Sequence, residues 1–583
     1  MTKTRHSQSR LSKQSASNVD LTLADVIAHI ESDHQLPKSD KDPMLSAVRT
    51  LCRMLRKNPA AVSAEPKQLR GLFETISHAS GGFSRGHWYN VRCRILAALR
   101  QAGIPAVPGR SCMPLTISWE ALRDRLPDEH FRRGLSRFLN FCSSRRISPG
   151  SVDEAVFESY RHTLENLSLV KRDRRVYQTA CRLWNKAAQT VPGWPQLQVP
   201  VPSWSRRYSL RWDEFPGTFR TDAEAYLTRT SGQDIFEDDY VRPARPATIE
   251  GQRYQLRQVA TALVRSGFPL VDLTSLAVLV EPPHARKALR YLYERAGEKK
   301  TAHIYRAAIL LKVIAKRWVK ASEAQIKSLE NLCKNLALKN QAGMTQKNRE
   351  RLRVFNDPVN VRALLKLPGR VLRQVERVDQ GLRQDALRVS LALAVEFLIG
   401  TPIRIENLAG INIDKHLIRT RPGDEGRVHL VISGKEIKND EPFEGGLMES
   451  TMQFLEVYLR KYHPRLTSKS SPWLFPNRQG RKRRPGNFAA QLSEFIFKEI
   501  GIRMNVHIFR HFAVKLYRQA HPGDLGTPQR FLGHKSQETT MRAYAEANID
   551  AALRLYEETI KTARDLLPVP QAGTRQANKG ARS

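Results

Sequence analysis

Carboxylates are scarce in this sequence. Its 583 residues carry 57 Asp and Glu against 96 Lys and Arg, a formal net charge of +39. An excess of that size, spread over nearly the whole length, argues for a polyanionic partner, because each Lys or Arg placed on a phosphate releases condensed counterions. Cysteine is scarce as well: six residues lie far apart, with no CxxC pair and none after Cys333. That usage excludes a disulfide scaffold or cysteine-built zinc site and fits a reducing cytosol. No run approaches the roughly 18 apolar residues of a membrane span, and no basic amphipathic helix stands apart as a surface anchor. The first twenty residues, MTKTRHSQSRLSKQSASNVD, lack the apolar stretch of a secretory signal. No GxxxxGK[ST] phosphate loop occurs; the one Gly-Lys, Gly434-Lys435, has His429 where the first glycine should be.

What remains is a long, apolar-enough chain that should divide into several domains. Residues 1–20 read as a disordered basic arm. Residues 21–105 form a helical module, with apolar residues at three- and four-residue spacing in MLSAVRTLCRMLRKN and WYNVRCRILAALRQAG. The break IPAVPGRSCMP separates it from a second helical module, 108–200. A Pro/Trp-rich connector opens an expected linker, 201–245, followed by a third helical block, 246–342. From about residue 348 the texture changes. Helices alternate with a β segment, RVHLVIS, a polar turn, GKEIKNDEP, and a return, FEGGL, which together read as a hairpin. The block 348–565 is therefore mixed, and 566–583 is a low-complexity basic tail. The expected fold class is mainly α with one small antiparallel β-sheet, in a multidomain chain.

The last third holds the residues with chemical promise. Arg404 follows a Thr-Pro break at the opening of a helix. His507 and Arg510 lie in NVHIFRHFAVKLY, expected on one helix beside an apolar stripe of Val506, Phe509, Ala513 and Leu516. His507 and His511 have the i, i+4 spacing of a zinc helix. However, Ile508 stands where the metalloprotease glutamate would be, and Arg510 between them would repel a cation; no metal is expected. Further on, RFLGHKSQETTMRAYA carries His534 and Tyr544. A metal-free attack on a phosphodiester needs cations for the nonbridging oxygens, a nucleophile and a proton donor. Arginines supply planar paired donors, a tyrosine can become covalently attached, and its pKa near 10 calls for a neighbour to help take its proton.

The ordered set Arg404, His507-x-x-Arg510, LGHKSQETT with His534, and Tyr544 resembles the tyrosine recombinases (phage integrase family). The turn in ISGKEIKNDEPFEGGL resembles the family's β-turn bearing the catalytic lysine, with Lys438 as the best match and Lys435 in reserve. The block 246–342 resembles the family's SAM-like core-binding domain, and 348–565 its catalytic domain; 21–200 lies outside the common two-domain plan. The resemblance implies that Arg404 and Arg510 clamp the scissile phosphate and that Tyr544 attacks it to give a 3′-phosphotyrosyl link. His507 then assists proton movement, Lys438 protonates the leaving oxygen, and His534 hydrogen-bonds the phosphate. It implies no cofactor and no metal, with double-stranded DNA as partner. It further implies a homo-oligomer, a tetramer on synapsed DNA, with accessory proteins as further partners and no membrane. The location implied is the bacterial cytoplasm, at the nucleoid. Readings that stay open are a type IB-like topoisomerase or resolvase, and a non-catalytic DNA-binding protein. The helix IDAALRLYEETIKTARDLL packs either on its own domain or on a neighbour's. The N-terminal modules are read as binding flanking DNA or aiding assembly, so that a chain without residues 1–200 still cleaves a core site.

Overall fold

The computed structural model describes residues 21–105, 114–204, 208–232, 236, 243–338, 344–420, 427–438, 440–521, 524, 526–533, 556–557 and 559–561. The expected arm 1–20 and tail 566–583 lie outside them. Two compact units emerge: one of Ser203–Ala342, and one that joins the flanking segments Met1–Pro202 and Gly343–Ser583.

In the N-terminal part of the larger unit the helices are α1 (Leu23–Ser32), α2 (Lys38–Leu55), α3 (Pro66–Thr75), α4 (Arg85–Gln101), α5 (Ile117–Asp124), α6 (Glu129–Ser144), α7 (Glu154–Asn166) and α8 (Asp173–Thr190). Local chemistry sets several of their starts. Thr22 and Asp25 close a capping box on α1, and Asp128 and Asp153 accept from the third backbone N–H of α6 and α7. Residues 21–105 and 108–200 are not separate bodies. Arg70 of α3 donates to the carbonyls of Leu164 and Glu165 at the end of α7, both at 2.9 Å. Arg92 of α4 donates to that of Leu169 at 3.0 Å, and Leu169 itself joins the core of Leu23, Val48, Leu51, Ile95 and Leu99. The carbonyls left over at a helix C-terminus attract cations, as at Arg70, and Arg92 adds a second tie to the loop just past α7. Under α6 and α8, Phe138 stacks on Phe157 at 4.2 Å and Trp184 meets both edge-on at 5.4 Å.

The smaller unit contains α9 (Gly217–Ser231), α10 (Pro246–Arg265), α11 (Leu276–Val280), α12 (Pro282–Arg295), α13 (Ala302–Ile314) and α14 (Glu323–Leu336). Here the expected linker 201–245 is corrected. Residues 217–231 are a helix whose Phe219, Ala223, Tyr226 and Leu227 are buried with Leu256, Val259 and Leu263. Asp222 fastens it further, accepting from the Leu276 backbone at 2.7 Å and from Trp318 Nε1 at 2.8 Å. Apolar residues at i, i+4, i+7 and i+8 form a helical stripe; the Pro- and Trp-rich approach and the polar residues between them obscure it.

The remainder of the larger unit has α15 (Gln346–Arg353), α16 (Pro358–Leu365), α17 (Leu367–Arg377), α18 (Arg383–Gly400), α19 (Ile405–Ala409), α20 (Ile413–His416), β1 (Leu417–Arg419), β2 (Val428–Ile432), β3 (Phe443–Gly446), α21 (Glu449–Val457), α22 (Pro485–Ile500), α23 (Ile508–Ala520) and α24 (Gly526–Leu532). Helix α18 is buried on nearly every side, from Val389 through Leu398, as suits a helix apolar all round at the centre of a core. The sheet is antiparallel in the order β1-β2-β3, with Leu430 opposite Leu417 on one side and Gly445 on the other. The expected hairpin is β2–β3. Strand β1 is an addition, since LIR directly after a helix is too short to show alternation.

Gly501 ends α22 at φ +76°, and a Cβ there would fall 2.5 Å from Ser80 Oγ and 3.2 Å from Ser80 Cα. Both the left-handed backbone and the close neighbour demand glycine. Gly501→Ala should lower stability by about 1–2 kcal/mol from the backbone alone, with more from the collision. Urea unfolding measures it.

Candidate active site

Arg404 is half-buried and sits at the N-cap of α19, in extended conformation (φ −70°, ψ 149°). The turn before it is tight: Thr401 N donates to Phe397 O and Ile403 N to Thr401 O, both at 2.7 Å. His507 stands at the N-cap of α23. Asn505 fixes that start by accepting from Ile508 N through its side chain at 3.1 Å and its carbonyl at 3.0 Å. One turn on is Arg510, only 5 % exposed. Its Nη1 donates to Pro402 O and its Nη2 to Leu532 O, each at 2.8 Å. One buried guanidinium therefore ties the Arg404 turn to the end of α24, two residues before His534.

His507 belongs to the same locality. It is solvent-exposed, yet enough protein packs beside it to disfavour its charged form. That desolvation, followed by the positive charges of Arg510 and Arg404, moves its pKa below the ordinary imidazole value. Its ring meets that of buried His511 edge-on, with centroids 4.9 Å apart. The expected apolar stripe is revised here. On α23, Ile508, Phe509, Phe512 and Val514 are buried together with Arg510 and His511, while Leu516 is 38 % exposed. The helix turns its arginine inward because two carbonyls await it.

Lys435 and Lys438 both lie exposed on the β2–β3 turn. The turn is held by Glu436, which accepts from Lys415 Nζ and from Ser433 Oγ at 2.8 Å each and lies 3.3 Å from His416 Nε2. The hydrogen bond from Lys415 leads the causes that bring the Glu436 carboxyl down to about 2. Among the described residues, no hydrogen bond or ion pair joins Lys438 to Arg404, His507 or Arg510. His534 and Tyr544 lie outside the described residues.

A second cationic feature lies at the other end of α19 from Arg404. In the loop after Phe475, the side chain of Asn477 accepts from the backbone of Gln479 at 2.8 Å and of Arg481 at 3.0 Å. Buried Arg483 roots the loop through Pro476 O at 2.9 Å and Gln491 Oε1 at 3.0 Å. Arg478, Arg481, Lys482 and Arg484 are left exposed. Lys482 reaches the far end of α19, where a Cβ on Gly410 would lie 2.8 Å from its Nζ. In the sequence this loop shows only its basic character. The Pro402 and Leu532 carbonyls that position Arg510 leave no trace in side-chain identity, and nothing in the spacing could have found them.

Residues 372–550 match the model of the phage integrase family, a span that holds Arg404, Lys438, His507, Arg510, His534 and Tyr544. The chain carries a phage integrase family domain. The tyrosine recombinase XerC of Pseudomonas savastanoi pv. phaseolicola (strain 1448A / Race 6) is 27% identical to this chain over 169 residues, 29% of this chain and 52% of that protein. XerC of Pseudomonas syringae pv. syringae (strain B728a) is 28% identical over 169 residues, with the same shares. The chain thus spans about half the length of the curated relatives it matches. Among solved structures, a lambda integrase dimer bound to a COC' core site is similar at 13% identity and a TM-score of 0.34, covering 66% of this chain and 90% of that one.

Proposed function

We propose that this protein is a site-specific DNA recombinase that cuts and rejoins double-stranded DNA through a 3′-phosphotyrosyl intermediate. The observation that carries the reading is the junction made by Arg510. It gathers the Arg404 turn, the N-terminus of α23 with His507, and the approach to His534 around one spot, inside the segment that matches the integrase family.

In this reading Arg404 and Arg510 bind the nonbridging oxygens of the scissile phosphate and stabilise the charge that grows on them. The Tyr544 oxygen bonds to phosphorus as the bond to the 5′-oxygen breaks. His507, neutral near pH 7, helps receive the phenolic proton, and Lys438, with Lys435 as the alternative, gives a proton to the departing oxygen. The phosphotyrosine conserves the ester, so a 5′-hydroxyl from another duplex reseals it with no nucleotide consumed. Exposed Arg478, Arg481, Lys482 and Arg484 extend the cationic surface along the DNA backbone. We assign the protein to a mobile element, acting as a DNA-bound tetramer in the cytoplasm. The length of chain outside the matched segment supports the mobile-element assignment. No helix among the described residues is long and apolar enough to cross a membrane.

The test is a nicked suicide duplex carrying the native site, found by sequencing DNA beside the gene. A denaturation-resistant protein–DNA adduct supports the reading, and its absence on that site overturns it. Recombinant products from two duplexes distinguish strand exchange from simple relaxation.

The lowered pKa of His507 sets a pH expectation. Near pH 7 the group is neutral in both folded and unfolded chains. As pH falls through about 6.5 the unfolded chain takes up the proton first, so stability declines below that point and not above it. Adduct formation should hold its rate to below pH 6.5 before its acid limb appears. His507→Asn should cost about 10²–10⁴-fold and abolish that limb in a pH–rate profile.

A further inference from the structure

The N-terminal part of the larger unit, foreign to a two-domain recombinase, reaches the end of α22 in the catalytic part through charged side chains. Glu499, second to last in α22, is only 6 % exposed. Arg388 of α18 grips its carboxylate through Nε at 3.0 Å and Nη2 at 2.9 Å, one oxygen each. Arg370 of α17 donates to its backbone carbonyl at 2.9 Å. The remaining partner is distant in sequence: Arg85, the first residue of α4, places Nη2 2.5 Å from Oε1. Burial alone would raise the Glu499 carboxyl, but the hydrogen bonds and charge of Arg388, then the charges of Arg85 and Arg370, leave it lowered and ionised. Three guanidinium groups thus surround the negative end of α22. Lys171, between α7 and α8, adds a weaker contact to Glu494 of the same helix at 3.4 Å.

The segment after α22 links this junction to the site. Gly501 presses its backbone against Ser80. Ile502, Met504 and Val506 then alternate into the catalytic core, all buried, and the next residue is His507. Three buried anchors in five residues leave the segment little freedom to absorb a shift. Movement of the α22 end therefore passes along the chain to His507 and, one turn on, to Arg510.

We infer that Arg85 and Lys171 are positioning residues, through which the N-terminal part clamps the end of α22 and so holds His507 and Arg510 in place for the reaction. The inference rests on the proposed function for its kinetic consequence and not for its structural one. It adds a role to the DNA-binding or assembly part expected of residues 21–200: a chain without residues 1–200 would still cleave a core site, but more slowly.

The test uses the full-length chain and four variants: Arg85→Ala, Lys171→Glu, Glu494→Lys and the Lys171→Glu/Glu494→Lys exchange. Arg85 is 54% exposed at its side chain and Lys171 43%, so these changes spare the core. Hydrogen exchange without DNA should quicken several-fold across residues 500–510 in Arg85→Ala and Lys171→Glu, and return towards the parent in the exchanged pair. On the nicked duplex at saturating protein, Arg85→Ala should form adduct about ten- to a hundredfold more slowly at unchanged DNA affinity, and the exchanged pair should regain rate over either single charge reversal. Unchanged exchange at 500–510, or lost affinity with an unchanged rate at saturation, overturns the inference. If the parent protein forms no adduct, the functional proposal falls, and the exchange measurement alone still decides the clamp.

Discussion

Arg510→Ala should unfold more easily and also lose its chemistry, whereas Arg404→Ala should lose chemistry at little cost in stability. The contrast follows from burial. Arg510 is 5 % exposed and satisfies two backbone carbonyls, of Pro402 and Leu532. An alanine leaves both acceptors without these donors, in a place water does not readily reach. Each such group costs about 1–3 kcal/mol, so a combined loss of roughly 2–5 kcal/mol is expected by urea unfolding. Arg404 is half-buried at a helix N-cap, where the stability cost should stay near 1 kcal/mol or below. On a nicked duplex both substitutions should reduce adduct formation by about 10²–10³-fold or more, the usual consequence of deleting one donor to a developing oxyanion. Arg510→Lys separates the two roles. An ammonium keeps the charge but lacks the planar fork that spans two carbonyls, so most of the stability deficit should persist. If Arg510→Ala unfolds like the parent protein, the guanidinium does not hold the Arg404 turn to α24, and the proposed site loses its keystone.

Much of this organisation was readable from residue order, and the failures have physical causes. The β2–β3 hairpin is visible because Val428, Leu430 and Ile432 alternate with half-buried residues and a polar turn comes next. The order Arg404, His507, Arg510 is equally visible, since side-chain identity and spacing are what a sequence records. What brings them together is not recorded. Arg510 is placed by carbonyls, which every residue owns, and α23 faces inward through its cation and not through the stripe that includes Leu516. The smaller unit shows a related limit: α9 carries its stripe in four residues, and the surrounding Pro, Trp and polar residues outweigh it. The junction of Arg85 with Glu499 spans more than four hundred positions, and both residues look like ordinary surface charges in their own neighbourhoods. Long-range pairing of that kind has no local periodicity to betray it.

Tyr544→Phe should abolish the covalent adduct altogether, while Tyr517→Phe should leave it. The comparison is needed because Tyr517 also lies on α23, two turns beyond Arg510, and a phenol near a cationic pocket is a candidate nucleophile by residue type alone. Its surroundings argue otherwise. The Tyr517 hydroxyl donates to Asp524 Oδ2 at 2.7 Å, and its ring packs between His521 at 4.7 Å and Phe531 at 6.1 Å. The Asp524 carboxyl is held far below its usual range, by Thr527 first and Tyr517 second, so it is a feeble base for removing a phenolic proton. Tyr517 therefore ties the loop after α23 to the start of α24. Its substitution should cost about 1 kcal/mol of stability and only a modest fraction of the cleavage rate. Tyr544 follows His534 in a segment whose one carboxylate between them is Glu538, against Lys535 and Arg542. Removing its hydroxyl deletes the atom that would bond to phosphorus in the proposed reaction. Denaturing gels of each variant with the nicked duplex decide the assignment, provided that DNA affinity is measured alongside and stays within about threefold, under 1 kcal/mol. An adduct that survives in Tyr544→Phe and vanishes in Tyr517→Phe would move the nucleophile onto α23. An adduct that survives in both would place the covalent bond on another residue and remove the phosphotyrosine from the proposed mechanism.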